Sequence, residues 1–187
     1  MYLIFVIIIF FMFKHNHVIL APIKREYNEK FLLWLNDPEI TQYLTQFRPL
    51  TEEMEEEWFE SLKDRKDDII FAILIDETKL IGNCSIMNIN WTNRVGTCGI
   101  FIGDKEEQGK GYGTEAMQLL IEYGFDNLNL NRLALEVSDF NSRAIKCYQN
   151  VGFIEEGRKR EACFRNGEYH DQIVMSILRR EFNKINK

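Results

Sequence analysis

The sequence predicts a single α/β domain, and three observations carry that expectation. A β-prone run, Val95 to Ile102, leads into the alternating glycines of Gln108-Gly109-Lys110-Gly111-Tyr112-Gly113-Thr114, and Thr114 to Leu120 then reads as a helix. Two runs, Ile69 to Ile75 and Leu80 to Asn88, flank the polar turn Asp76-Glu77-Thr78-Lys79 as a hairpin. A second hairpin signal, Asn166-Gly167, separates strands expected from Phe153 onward and over Gln172 to Leu178. A chain of 187 residues is long enough for one domain with a proper core.

Met1 to Phe13 is almost entirely apolar. As a helix it would span about 20 Å at ~1.5 Å per residue, short of a ~30 Å hydrocarbon core. It lacks the basic start and small-residue cleavage site of a signal peptide. Three readings stay open: a membrane-dipping anchor, an element packed on the domain or on a partner, or an upstream start not used in the cell, with Met12 as the alternative. The domain is expected over residues 14–187, with membrane contact only if residues 1–13 are retained.

Val18-Ile19-Leu20 reads as a short strand. From Arg25 to Asn36, Tyr27, Phe31, Trp34 and Leu35 fall at helical spacing. Asp37-Pro38 is expected to stop that helix, because the residue before proline is pushed out of the α region. Thr51 suits the N-cap of a second helix, with Glu52 and Glu53 at its positive end and Met54, Trp58 and Leu62 as its buried stripe. In the strand at Val95, Gly96 and Gly99 suggest a bulge or the close approach of a ligand. The helix after the glycine loop runs to about Asn127, with Glu115, Gln118, Glu122 and Asp126 as its wet stripe. Arg132 to Ser138 alternates as a strand, and Asn141 caps a helix that Gly152 ends.

The glycine loop carries the first functional signal. Glycines let the chain adopt positive φ and let a ligand approach the amides closely. Free N–H groups at a helix start, with the positive end of its dipole, favour a phosphate or pyrophosphate. A ligand-free turn is the plain alternative. The loop is no P-loop, for no Gly-Lys-Ser/Thr follows at the required spacing, and its G-x-G-x-G pattern is not a dinucleotide fingerprint.

Composition narrows the partners. The excess of 29 acidic over 23 basic residues argues against nucleic acid and suits a cationic substrate. The run Glu52-Glu53-Met54-Glu55-Glu56-Glu57 is either a solvated face or a surface that attracts a polyamine or basic peptide. Cys84, Cys98, Cys147 and Cys163 show no C-x-x-C and read as reduced thiols of a cytoplasmic protein. His15, His17 and His170 show no metal-ligand spacing, and no metal is expected.

Three motifs in order resemble the GCN5-related N-acetyltransferases: Gln108-Gly109-Lys110-Gly111-Tyr112-Gly113, then Asn141-Ser142-Arg143-Ala144-Ile145-Lys146-Cys147-Tyr148, then Val151-Gly152-Phe153. The tail from Arg160 to Asp171 is similar to the branch of ribosomal-protein and spermidine acetyltransferases. The resemblance covers roughly His17 to Phe182. It implies a mixed, mostly antiparallel sheet with helices on both faces and a splayed central strand pair.

It also implies acetyl-CoA as co-substrate and direct acetyl transfer to a primary amine: a protein N-terminus, a polyamine or another small amine. Residues 108–114 (Gln108, Gly109, Lys110, Gly111, Tyr112, Gly113, Thr114) would hold the pyrophosphate. Phe101, Ile102 and Gly103 would lie on the splayed strand, with the Ile102 N–H as oxyanion donor. Asn141, Ala144 and Ile145 would line the other side, and Tyr148 would stand beside the thioester sulfur. Without the resemblance, Asn141 is simply a helix cap and Tyr148 a core residue. A catalytically silent CoA-binding or sensor domain is the rival function, and monomer and homodimer both stay open.

Two departures bear on mechanism. Thr97 stands where related sequences often carry a glutamate, and it cannot act as a base near neutral pH. The base is then another carboxylate, a water chain, or no group beyond selection of the neutral amine. Gln46-Phe47-Arg48-Pro49 lacks the acidic residues that polyamine-acetylating relatives often show before that proline.

Overall fold

The computed structural model describes residues 13–46 and 48–185. The open readings of the apolar N-terminus fall on residues 1–12 and so lie outside the described residues. An eight-stranded sheet runs in the order β1-β2-β3-β4-β5-β6-β8-β7. Its strands are β1 (Phe13–His15), β2 (Val18–Pro22), β3 (Ile69–Ile75), β4 (Lys79–Asn90), β5 (Val95–Ile102), β6 (Arg132–Ser138), β7 (Ile154–Arg165) and β8 (Glu168–Leu178). Every neighbouring pair is antiparallel except β5–β6, which is parallel. The mixed, mostly antiparallel sheet is therefore as expected.

Helices cover both faces. Alternation along β2 and β3 sends Val18, Leu20, Phe71 and Ile73 to one face, against α4 (Tyr112–Glu122) and its π-helical extension Tyr123–Asn127. Ile19, Ala21, Ala72 and Leu74 go to the other face, against α1 (Asn28–Leu35), where Phe31 is fully buried. The glycine-loop helix follows most of its predicted stripe: Ala116, Met117, Leu120 and Ile121 are buried, while Gln118, Glu122 and Asp126 face water. Glu115 departs from it, half-buried and accepting from the His17 N–H at 3.2 Å.

Several local expectations change. Arg25–Tyr27 is a 3₁₀ turn before α1. Pro38 does not only end a helix; it opens α2 (Pro38–Thr41), with Asp37 accepting from the Glu39 N–H at 2.9 Å. Proline is tolerated there because a first-turn N–H has no helical partner to lose. In α3 (Glu52–Ser61), Thr51 caps as expected, but Met54 is 44% exposed and Glu55 only 4%. The buried face thus begins at Glu55, whose carboxyl pKa burial pushes up. Gly96 is required by packing rather than a ligand, since a Cβ there would meet Ile86 Cγ2 at 2.5 Å. The terminal α6 (Arg179–Ile185) had no signal in the pattern.

The first strand begins at Phe13, whose ring packs 4.8 Å from Tyr123 and 6.2 Å from Phe71. Deleting residues 1–11 keeps that contact. The truncated chain is expected to stay soluble, with Tm within about 3 °C of the full chain, the shift that ~1 kcal/mol makes at this size. Precipitation, or a larger drop, would make the apolar run part of the fold.

Candidate functional site

The parallel pair β5–β6 makes the site. Its register holds only for Val95↔Arg132, Gly96↔Leu133 and Thr97↔Ala134. Beyond Thr97 the strands part, so Cys98 to Ile102 and Leu135 to Ser138 flank a gap. A cleft of about 390 Å³ opens there.

The ladder fixes which backbone groups face the gap. Gly82 lies opposite Ile102, and the Gly103 N–H donates to the Ile81 carbonyl at 2.8 Å. In an antiparallel ladder this makes Gly82/Ile102 a non-hydrogen-bonded pair. The N–H and C=O of Ile102 therefore point away from β4 and into the gap. The Ile102 carbonyl accepts from Gln108 Nε2 at 2.7 Å, in keeping with that direction.

At one end of the gap the glycine loop presents its amides. Gly109 (φ 78°) and Gly111 (φ 95°) take left-handed backbone with nothing within 4 Å of a Cβ position. Conformation and open approach, not packing, require glycine at both. The Thr114 and Glu115 N–H groups already donate to the Gly111 carbonyl. Among the described residues, the amides of residues 109–113 have no such partner. They gather at the positive end of α4, the arrangement that binds phosphate.

Helix α5 (Ser142–Asn150) forms the opposite wall. Asn141 Oδ1 accepts from the Ala144 N–H at 3.2 Å, so the cap exists. Tyr148 lines the cleft while only 7% exposed, packed 6.0 Å from Phe153. Burial pushes its phenol pKa well up, so it stays protonated at neutral pH and can donate a hydrogen bond. Burial likewise raises the Cys147 thiol and pushes Cys98 up to about 12, leaving neither as a ready nucleophile.

The cleft brings together Phe101, Ile102, Gln108, Gly109, Gly111, Gly113, Thr114, Asn141, Ala144 and Tyr148. Four other expected residues do not line it. Gly103 sits where a Cβ would strike the Trp34 ring at 2.1 Å. Tyr112 and Ile145 pack on the core. Lys110 is bound to Glu107 Oε2 at 2.9 Å, and that carboxylate raises its pKa.

Sequence reasoning missed part of the wall. Glu136, on splayed β6, lines the cleft and is ion-paired with Lys159. A strap of residues 40–45 covers one end, where the Leu44 carbonyl accepts from Arg165 and Tyr43 packs 6.0 Å from Phe140. Arg143 donates to Gln108 Oε1 at 2.7 Å. Arg143 and Lys146 lie inside the Asn141 to Tyr148 motif, which was their signal in the sequence. Arg165 lies inside the tail from Arg160 to Asp171 that resembles the family branch, whereas the strap had no signal, because only tertiary folding brings it to the cleft. Among the described residues, no His/Cys/Asp/Glu group could hold a metal, and no helix is long and apolar enough to cross a membrane.

Comparisons with known proteins bear on the family and the fold. A family model described as an acetyltransferase (GNAT) domain matches residues 17–154. A Bacillus subtilis relative provisionally named ribosomal N-acetyltransferase YdaF is 37% identical over 113 residues, 60% of this chain and 61% of its own length. A Vibrio cholerae spermidine N(1)-acetyltransferase is 34% identical over 112 residues, 60% of this chain and 64% of its own length. The chain thus spans less than two thirds of the length of these two relatives. The crystal structure of spermidine N-acetyltransferase from Vibrio cholerae in complex with CoA and spermine superposes with a TM-score of 0.85 at 27% identity, covering 90% of this chain and 99% of that one.

Proposed function

The chain belongs to the GNAT acetyltransferase family, and from that premise we propose that it carries acetyl from acetyl-CoA directly to a primary amine. The observation that bears most weight is the gap itself, with unpartnered amides of residues 109–113 at one end and a buried phenol along its wall. A pyrophosphate suits those amides, and an amide-bearing pantetheine arm suits the strand edges that β5 and β6 leave unpaired.

Acetyl-CoA would supply the acyl group as a thioester. The residues of the chain do the rest. The Ile102 N–H, aimed into the gap, is placed to polarise the carbonyl oxygen. Tyr148 donates to the departing sulfur. Of the two carboxylates that line the cleft, Glu107 is held by both Lys79 and Lys110, so Glu136, paired with Lys159 alone, is the group assigned to take the amine's proton where Thr97 cannot. An α-amine, with a reference pKa of about 8 against about 10.4 for lysine, needs that help least.

The acceptor classes are a protein N-terminus, a polyamine or another small amine. The acidic run favours no class at the cleft: none of Glu52 to Glu57 lines it, and Glu56 is bonded to Arg25 and Asn28. A thiol-release assay across polyamines, N-terminal peptides, amino sugars and small amines tests the proposal. CoA release that depends on the amine is expected with at least one class. CoA binding with no release across the panel would favour the silent CoA-binding domain.

A further inference from the structure

On α5, Arg143, Lys146 and Asn150 are spaced three and four residues apart and all line the cleft. They share one helix face. Thr114 Oγ1 lies 3.5 Å from Cys147 Sγ, so the first turn of α4 abuts the middle of α5. The cationic face therefore adjoins the free amides of the glycine loop.

These two cations differ from their neighbours. Lys79, Lys105 and Lys110 are each held by carboxylates at 2.6–3.2 Å. Arg143 meets only neutral groups, the Gln108 carbonyl at 2.7 Å and the Tyr43 ring at 5.8 Å. Lys146 has no ion pair or side-chain hydrogen bond among the described residues. Arg143 also sits in the first turn of α5, where the helix dipole disfavours a cation and a bound anion would relieve it. Two uncompensated cations beside an anion-binding loop, in a chain of net charge −6, call for a second phosphate.

We propose that Arg143 and Lys146 form a subsite for a terminal phosphomonoester, the ribose 3′-phosphate at the nucleotide end of CoA. This rests on the acetyl-CoA reading and adds what distinguishes that cofactor from its dephosphorylated form. Arg143 exchanges the neutral Gln108 carbonyl for a charge-assisted bond, and Lys146 supplies a point charge. Lys110 takes no part, because Glu107 already neutralises it.

Calorimetry with CoA and 3′-dephospho-CoA on the full chain tests this. The parent is expected to bind CoA at least about tenfold more tightly than the dephospho form. Lys146→Met, Arg143→Met or both should cut that preference to below about threefold by weakening CoA alone, with dephospho-CoA affinity within about twofold of the parent. Both positions are exposed, so the variants keep the fold. A parent that binds both forms equally, or a preference undiminished in both variants, overturns the subsite and leaves the acetyl-CoA reading standing. A parent that binds neither form removes that reading and the subsite together.

Discussion

Tyr148→Phe is expected to lower kcat by about 10²–10⁴, the range for a positioned acid, with little change in acetyl-CoA affinity. A departing thiolate gains most from a donor as its charge develops, so the interaction belongs to the transition state. Full proton transfer is disfavoured. Reference pKa values of about 10 for tyrosine and 8.5 for a thiol leave ~1.5 units, or ~2 kcal/mol, against it. Burial widens that gap, since it pushes the Tyr148 phenol further up. Tyr148 is therefore best read as a hydrogen-bond donor to the sulfur, with the amine's proton arriving later. The variant keeps the ring and its contact with Phe153, so stability should barely move. A kcat within about threefold of the parent would return Tyr148 to the core and leave the site without its acid.

Gly113→Val is expected to abolish measurable acetyl-CoA binding while the fold survives. Gly113 is not among the glycines at positive φ, and a Cβ there has Ile102 Cγ1 at 3.8 Å as its nearest neighbour. Valine thus enters without backbone strain or a core clash, and its methyls occupy the cleft that Gly113 lines. Gly111→Val should lose binding too, but at φ 95° it also strains the loop, so Gly113→Val separates ligand exclusion from misfolding. Affinity within about threefold of the parent, under ~0.7 kcal/mol, would remove the pyrophosphate assignment.

These two residues show how unevenly the sequence exposes its site. The glycine loop was legible because positive φ, free amides and a helix start are local properties written in consecutive residues. The strands were legible for the same reason: alternation in Arg132 to Ser138 and the Asn166-Gly167 turn report on short segments. Glu55 was misplaced because the acidic run masks which face of α3 turns inward, and only its packing beside α1 decides that. Gly103 was expected in the site through the family resemblance, yet Trp34, nearly seventy residues earlier, claims its space. Glu136 and the strap of residues 40–45 were invisible because the splay of β5 from β6 creates their shared cleft. No pattern within either segment encodes that meeting.

The central claim is direct transfer, and intact-mass analysis of a single turnover tests it. The protein, in excess over acetyl-CoA, is mixed with an amine that supports thiol release, and protein and small molecules are followed together. Acetylated amine and free CoA should form in equal amounts while the chain's own mass stays unchanged throughout. An acetyl group that appears on the chain before the amine, at Cys147 or elsewhere, would contradict the account.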